Sequence, residues 1–216
     1  MADFVMAAIG MLQWDVRRLL RDQQARRWQT RSTPPLAGRT LGVIGLGAIG
    51  GEIARRGAAA RMRVLGIRRT PAPMPGVEEV FPPSALLAVL PRCDFVVVVV
   101  PRTRMTEHLI GRAELAAMTP QSALINIARG GVVDETALIE ALGRRQIAGA
   151  ILDVFDREPP PANSAFWDLD NVILTPHMAG EPADYVRRMT EIFAENYRRW
   201  RSGQPLMNAI DLQLGY

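Results

Sequence analysis

The chain has 216 residues, of which 48% are hydrophobic and 22% are charged, and this is the composition of an ordinary globular protein. All 26 basic residues are arginines, which excludes a Schiff-base lysine, a P-loop lysine and a lysine general base. The formal net charge of +4 does not by itself indicate nucleic-acid binding.

The sequence carries no sign of membrane insertion or export. No apolar run reaches the roughly 18 residues that a membrane-spanning helix needs, and the first residues include Asp3 and lack a basic segment. Cys93 is the single cysteine, so an intrachain disulfide is excluded. We therefore expect a cytoplasmic protein in which Cys93, placed just before an apolar run, is a core or edge residue and not a nucleophile.

Residues 2–20 are predicted to form a helix, because apolar residues recur at spacings of four and three. The stripe consists of Val5, Ile9, Leu12, Val16 and Leu19. Such a helix is either buried or packed on another subunit. The arginine-rich segment 17–27 that follows is most simply a solvated face, and a nucleic-acid contact is the less favoured alternative. The breaker at 33–35, Thr-Pro-Pro, makes residues 1–32 a separate unit ahead of the next domain.

From residue 39 onward, strand patterns alternate with helix patterns. Strands are predicted at 40–44, 63–67, 77–80, 95–100, 123–127, 149–154 and 172–174, and helices at 50–60, 84–90, 112–118 and 136–144. The run 96–100 is continuously apolar, which indicates a strand covered on both faces in the middle of a parallel sheet. This order predicts an α/β fold with an open, doubly wound parallel sheet over residues 33–181.

Residues 182–216 are predicted to form a final helix and tail. The helix is expected at about 182–201, with Gly203 placed to end it. Its apolar stripe consists of Val186, Met189, Phe193, Tyr197 and Trp200.

The strand at 40–44 runs directly into the sequence GLGAIG at 45–50, a G-x-G-x-x-G motif followed by a helix pattern. Gly45 permits a tight turn, Gly47 leaves room for a pyrophosphate to approach the backbone, and Gly50 allows close helix–strand packing. The N-terminus of the helix that follows offers free N–H groups to phosphates, and we include Ala48 and Ile49 among the expected cofactor-binding residues. We predict a Rossmann-type dinucleotide site here. A glycine-rich turn without a ligand is the alternative.

The second anchor of the cofactor is expected about 20 residues further on, where an acidic residue usually binds the ribose 2′-hydroxyl. This chain has Arg68 and Arg69 at that position and no carboxylate. Two guanidinium groups can bind the 2′-phosphate of NADP with charge-assisted hydrogen bonds. We therefore favour NADP(H), with NAD(H) as the alternative if both arginines are merely solvated.

Three further polar segments follow predicted strands and contain Arg129, Glu158 and His177. Hydride transfer to a ketone needs a proton donor at the developing alkoxide, and histidine suits that role near neutral pH. A carboxylate can fix the histidine tautomer, and an arginine can bind the carboxylate of a 2-oxo acid. Spacing alone is weak support, since a histidine after a strand is more often structural or solvent-facing.

Several segments, taken in order, resemble the D-isomer-specific 2-hydroxyacid dehydrogenase family, specifically its cofactor-binding domain. The matching segments are LGVIGLGAIG (41–50), PRTRMT (101–106), INIARGGVVDE (125–135), LDVFDREP (152–159) and TPHMAG (175–180). The resemblance runs through the whole chain and implies an NAD(P)-dependent oxidoreductase. Its reaction would be hydride transfer between NAD(P)H and a small 2-oxo or 2-hydroxy acid, of the glyoxylate or hydroxypyruvate type.

The resemblance also implies roles for individual residues. Arg129 would bind substrate, Glu158 would support the histidine, His177 would be the acid/base, and Asp153 would approach the nicotinamide carboxamide. Further cofactor-binding positions implied by the same segments are Val100, Pro101, Thr106, Ile127, Ala128 and Gly180. No metal site is expected.

Two departures from the family pattern bear on these expectations. Arg68 replaces the usual acidic residue, as in the NADP-preferring glyoxylate and hydroxypyruvate reductase branch. The family's substrate-binding domain, which precedes this region, is not in the chain, so a truncated form or pseudo-enzyme that only binds dinucleotide is an alternative, as is a half-enzyme completed by another chain.

The helix at 1–20 resembles the family's interdomain helix, which implies a homodimer. The final helix resembles the segment returning to the substrate domain, so both apolar stripes are expected to be exposed or repurposed.

Overall fold

A computed structural model describes residues 1–211, in which strands and helices alternate. The strands are β1 (Thr40–Ile44), β2 (Arg63–Ile67), β3 (Glu79–Phe81), β4 (Phe95–Val98), β5 (Ala123–Asn126), β6 (Gly149–Leu152) and β7 (Val172–Leu174). The α-helices are α1 (Ala2–Gln13), α2 (Val16–Gln24), α3 (Ala48–Ala59), α4 (Leu86–Val89), α5 (Arg112–Ala117), α6 (Glu135–Gly143) and α7 (Tyr185–Arg201). Short 3-10 turns flank α4 and lie between β6 and β7.

The seven strands form one parallel sheet in the order β3-β2-β1-β4-β5-β6-β7. β4 occupies the centre, as its continuous apolar run predicts. The register aligns the ends of the strands: Ile44 pairs with Ile67 and Val98, and Asn126 pairs with Val98 and Leu152. The segments that follow these strands therefore emerge at one edge of the sheet. The predicted doubly wound Rossmann-type fold is confirmed.

Each face of the sheet has its own hydrophobic core. Val96 and Val98 of β4 face a core that includes side chains of α4, α5 and α6. Val97, between them, faces a core that includes side chains of α1 and α3. Successive side chains of a strand point to opposite faces, so a central strand can be apolar at every position. This explains why β4 lacks the alternation of a half-exposed strand.

Most predicted strands extend too far at one end. The strand predicted at 95–100 ends at Val98, and the one predicted at 149–154 ends at Leu152. Val99 and Asp153 each donate one more backbone hydrogen bond to a neighbouring strand, to Ile44 O at 2.9 Å and Asn126 O at 3.0 Å. The chain then leaves the sheet. Apolar residues continue past the ends of these strands because the residues that follow remain packed. The hydrophobic pattern alone therefore does not show where a strand ends.

The prediction of one helix over 2–20 is wrong. The first helix ends at Gln13, and Asp15 has a left-handed backbone with φ of 47°. Its carboxylate then accepts a hydrogen bond from Arg18 N at the start of α2. An aspartate is a favourable N-cap residue and tolerates this conformation, so it begins a new helix instead of continuing the old one.

The apolar stripe of α1 is buried, which is one of the two alternatives predicted for this helix. Val5 and Ile9 have no exposed surface and lie in the core on the α3 face of the sheet. Beyond the break, Leu19 and Leu20 of α2 are exposed. Residues 1–13 thus share a core with the sheet. The division of the chain at residue 32 stays a prediction.

The stripe of α7 is exposed, as expected. None of its residues is buried, and Val186, Phe193 and Trp200 are about 70% exposed, at 73%, 71% and 68%. Gly203 follows the helix with φ of 65° and donates a hydrogen bond to Trp200 O, so it ends the helix as predicted. Among the helices within residues 1–211, none is long and apolar enough to cross a membrane.

Candidate active site

The site lies at the carboxyl edge of the sheet, where the segments after β1, β2, β4, β5, β6 and β7 emerge. In an open α/β sheet this edge is the usual place for a ligand. The segments carry the glycine motif at 45–50, the arginines at 68–69, and the polar residues of 99–106, 127–131, 153–158 and 175–180. All the residues singled out from the sequence therefore lie along one edge.

The glycine motif has the geometry that its sequence predicts. Gly45 has φ of 107°, in the region that side chains disfavour, and a Cβ there would lie 2.5 Å from Val99 O. A Cβ at Gly50 would lie 1.8 Å from Gly45 O, so the helix packs directly on the turn. A Cβ at Gly47 would meet no atom within 4 Å, and this open space lies beside the start of α3.

These features fit the phosphates of a dinucleotide. Gly47, Ala48 and Ile49 are exposed at the first turn of α3, where backbone N–H groups have no acceptor within the helix. Arg68 follows β2, and its backbone N–H donates to Phe81 O at 3.0 Å. Within residues 1–211 its half-buried side chain makes no hydrogen bond or ion pair, which leaves the guanidinium available to an anion. Arg69 is exposed beside it.

The segment after β4 closes on the glycine turn. Val100 Cγ1 lies 2.8 Å from the position of a Cβ at Gly45, and Pro101 is exposed. The Thr106 hydroxyl donates to Pro101 O at 2.7 Å and accepts from Thr103 N at 2.8 Å. Thr106 therefore shapes this loop, and its predicted contact with the cofactor remains a prediction.

The segment after β5 presents Arg129. Asn126 is 3% exposed, and its side-chain oxygen accepts a hydrogen bond from Ala128 N at 3.1 Å. Ile127 and Ala128 are buried, whereas Arg129 is exposed and donates to Ala128 O at 2.7 Å. The predicted cofactor positions at Ile127 and Ala128 are therefore covered in this structure. Arg129 is the residue that this segment leaves exposed at the carboxyl edge of the sheet.

The loop after β6 positions Glu158. Glu158 Oε1 accepts a hydrogen bond from Phe155 N at 3.0 Å, and Oε2 lies 2.7 Å from His177 Nδ1. Both side chains are partly exposed. Burial raises the pKa of Glu158, but the bonds from His177 and Phe155 N–H, together with the charges of His177 and Arg129, outweigh it and hold this pKa below its usual value.

The contact with Glu158 also determines which ring nitrogen of His177 carries the proton. An ionised carboxylate can only accept hydrogen bonds, so His177 Nδ1 carries the proton in this pair. His177 Nε2 is then the ring nitrogen that could exchange a proton with a bound molecule. Of the predicted catalytic residues, His177 and Glu158 are in direct contact, and Arg129 is close enough for its charge to act on Glu158.

A model of the NAD-binding domain of the D-isomer specific 2-hydroxyacid dehydrogenases matches residues 6–179. The chain belongs to this family. A glyoxylate reductase of Thermococcus gammatolerans is 43% identical over 167 residues, which are 77% of this chain and 50% of that protein. A D-3-phosphoglycerate dehydrogenase of Methanocaldococcus jannaschii is 39% identical over 181 residues, which are 82% of this chain and 34% of that protein. The chain thus spans half or less of the length of these relatives.

Solved structures of 2-hydroxyacid dehydrogenases share the fold closely. One from Xanthobacter autotrophicus, in complex with NADPH and MES, has a TM-score of 0.93 and 38% identity, and the comparison covers 100% of this chain and 88% of that one. An NADPH-dependent glyoxylate/hydroxypyruvate reductase of Sinorhizobium meliloti, in complex with NADP and sulfate, has a TM-score of 0.93 and 32% identity, with coverage of 100% and 69%.

Some residues of this candidate site were not identified from the sequence. Thr175 bonds to Asp153 through its hydroxyl, at 2.6 Å. Glu135 accepts a hydrogen bond from Asp156 N at 2.7 Å and ties α6 to the loop that carries Glu158. Both lie within the motifs, so the motifs indicated where they are, but their partners follow only from the fold.

Proposed function

We propose that this chain takes part in NADP(H)-dependent interconversion of a small 2-oxo acid, of the glyoxylate or hydroxypyruvate type, and its 2-hydroxy acid. The observation that carries the proposal is the 2.7 Å contact between His177 Nδ1 and Glu158 Oε2 at the carboxyl edge of the sheet. It leaves an oriented imidazole Nε2 at the edge that also holds the glycine turn and Arg129.

The residues of the chain supply the group that donates or accepts the proton and the positive charge that binds the substrate. A bound nicotinamide cofactor would supply or accept the hydride. In reduction, protonated His177 donates the Nε2 proton to the oxygen of the carbonyl group as negative charge develops there. In oxidation, neutral His177 accepts the hydroxyl proton at the same atom. Glu158 stabilises the imidazolium, and Arg129 binds the substrate carboxylate and orients it.

The preference for NADP(H) rests on the segment after β2. Arg68 has an unpaired guanidinium within the described residues, and Arg69 lies next to it. Positive charge therefore stands at the position where many dinucleotide sites have a carboxylate that binds the ribose 2′-hydroxyl. The similar Xanthobacter and Sinorhizobium proteins were solved with NADPH and NADP. Both observations support NADP(H) over NAD(H).

A second candidate function is dinucleotide binding with little turnover. It is supported by the glycine turn and the open start of α3, which can bind the phosphates of a dinucleotide without any contribution from His177 or Arg129.

One experiment separates the two candidates. NADPH binding to the 216-residue chain is measured by calorimetry, and NADPH oxidation with glyoxylate or hydroxypyruvate is followed by absorbance. The wild type is compared with His177→Ala and, as a matched control, with His108→Ala, an exposed histidine outside the site. Binding with turnover that only His177→Ala abolishes supports the dehydrogenase. Binding with no turnover above the His177→Ala level supports the binding module, and absence of NADPH binding contradicts both.

We also propose that the chain forms a homodimer through the segment 1–20, with a contact at the end of this segment instead of at Val5 and Ile9. Val5 and Ile9 are buried inside the chain, so the apolar surface left for a partner lies at Trp14 and Leu20, which are 55% and 52% exposed. Light scattering tests this: Leu20→Glu should lower the mass to that of a monomer, whereas Leu87→Glu, at another exposed leucine, should not. A wild-type monomer would contradict the proposal.

A further inference from the structure

The turn from Thr175 to Ala179, which carries His177, is attached to the end of β6 through one side chain. Asp153 Oδ1 accepts hydrogen bonds from the Thr175 hydroxyl at 2.6 Å and from Met178 N at 2.9 Å. Asp153 Oδ2 accepts one from Ala179 N at 2.9 Å. The donors lie on both sides of His177, so the carboxylate holds the turn before and after the histidine.

The backbone of His177 needs such a restraint. Its φ is 52°, in the left-handed region that residues with a side chain rarely adopt. Its own backbone bond, from His177 N to Thr175 O at 3.0 Å, lies within the turn. A strained conformation of this kind persists only where surrounding contacts over-determine it. The bonds to Asp153 are the contacts that do so.

Asp153 is held mainly by the turn that carries His177. The residue is 2% exposed. A carboxylate has about four acceptor positions, and the turn fills three of them. A buried carboxylate is also costly unless it is hydrogen-bonded, so carboxylate and turn stabilise one another.

We propose that Asp153 is a positioning residue that fixes the backbone of His177, and thereby keeps Nδ1 on Glu158 and Nε2 directed at the substrate. This role adds to the expectation that Asp153 approaches the nicotinamide carboxamide, because the turn leaves one acceptor position of the carboxylate unfilled. The proposal rests on the proposed function only in the role it gives to Nε2. The geometry of the histidine can be measured without any turnover.

The decisive variant is Asp153→Asn, which has almost the same shape. Asparagine replaces one acceptor oxygen by an NH₂ group, and this group would face a donor of the turn, either Ala179 N–H or the pair formed by the Thr175 hydroxyl and Met178 N–H. A milder variant, Thr175→Val, removes one of the three bonds, and Thr175→Ser restores the hydroxyl. Asp168→Asn, at an exposed aspartate in the same β6–β7 connection, is the matched control.

The readout is ¹⁵N NMR of the imidazoles, which reports the tautomer and the hydrogen-bonded Nδ1–H of His177. The chain has only two histidines, so His108→Gln assigns the spectrum and the exposed His108 serves as an internal reference. Calorimetric NADPH affinity and the single-turnover rate are measured on the same samples, and circular dichroism reports the fold.

In Asp153→Asn we expect loss of the hydrogen-bonded Nδ1–H signal of His177. The single-turnover rate should fall by on the order of 10- to 100-fold. Thr175→Val should shift the signal in the same direction, while Thr175→Ser and Asp168→Asn resemble the wild type. An unchanged His177 spectrum in Asp153→Asn overturns the proposal, whatever happens to NADPH affinity. If Asp153→Asn does not fold, an unchanged spectrum in Thr175→Val overturns it.

If the wild-type chain shows no turnover, the proposed function fails while the spectra still decide the role of Asp153. The two proposals are therefore tested separately.

Discussion

A Cβ atom at Gly50 would lie 1.8 Å from the carbonyl oxygen of Gly45. The neighbouring atom belongs to the backbone of a tight turn, so it cannot move away as a flexible side chain could. The first turn of α3 and the glycine turn can meet at this distance only if residue 50 has no side chain.

Gly50→Ala is therefore expected to lower the free energy of unfolding by about 3 kcal/mol, as strong overpacking does. Gly10→Ala is the control, because a Cβ there meets no atom within 4 Å in the interior of α1. It should raise the free energy of unfolding by about 0.5–1 kcal/mol through helix propensity. Urea denaturation measures both, and a Gly50→Ala protein as stable as the wild type would contradict the packing described.

Gly47→Ala should leave the fold intact and weaken cofactor binding. The space around Gly47 is open in the protein, so the methyl group causes no clash within the chain. It would instead occupy the approach of a pyrophosphate to the start of α3. We expect NADPH affinity to fall by about tenfold or more at an unchanged unfolding midpoint, a difference of about 1.4 kcal/mol in binding. Unchanged affinity would show that the dinucleotide does not approach Gly47.

Arg68→Ala should affect the two cofactors differently. If its guanidinium binds the 2′-phosphate, removing it costs one charge-assisted interaction with NADPH and none with NADH. NADPH affinity is then expected to fall by about tenfold while NADH affinity stays within about twofold, as measured by calorimetry at fixed salt. Arg61→Ala, at an exposed arginine at the opposite end of β2, controls for net charge. Equal losses for both cofactors would argue against a phosphate contact.

The Glu158–His177 contact predicts a specific pH dependence. Since the folded-state pKa of Glu158 is lowered, its ionised contacts contribute stability that is complete above the usual glutamate pKa and is lost as the pH falls through the lower folded value. His177→Ala removes a hydrogen bond and a charge that favour the carboxylate. The pKa of Glu158 should therefore rise in this variant, as followed by ¹³C NMR of the carboxyl group. An unchanged pKa would mean that His177 does not stabilise the carboxylate.

Cys93 is expected to be inert in the folded protein. Burial raises the pKa of its thiol to about 12, with Arg92 acting weakly against this shift. Because the thiolate is the reactive form, Ellman's reagent should not modify the folded chain at about pH 8, and it should react fully after denaturation in urea. Rapid modification without denaturant would contradict the burial of this side chain, which is 3% exposed.

The sheet could be predicted from the sequence because its signals are local. The uninterrupted apolar run of β4 indicated a central strand, and GLGAIG indicated the turn into α3. The position of Arg129, Glu158 and His177 followed from polar residues placed at the ends of strands. Each of these inferences needs only the chain near the residue and the rule that parallel strands end at one edge.

Other features depend on contacts between distant residues. Asp153 bonds to residues 22 to 26 positions away in the sequence, and no periodicity shows that those residues return to it. The break after Gln13 depends on one aspartate in a left-handed conformation, which apolar spacing does not register. The burial of Val5 and Ile9 depends on which surface lies opposite α1. In each case the sequence gives the residue type, and the fold supplies its partner.

The contact between Met1 and Gly180 has a practical consequence. The Met1 side chain lies 3.6 Å from the position of a Cβ at Gly180, next to the turn that carries His177. These 216 residues contain no lysine, so a preparation of them that starts at Met1 has a single primary amine, at Met1. In such a preparation an amine-reactive fluorophore would attach at this position, beside the turn that carries His177, and its emission could follow rearrangements there without an engineered labelling site.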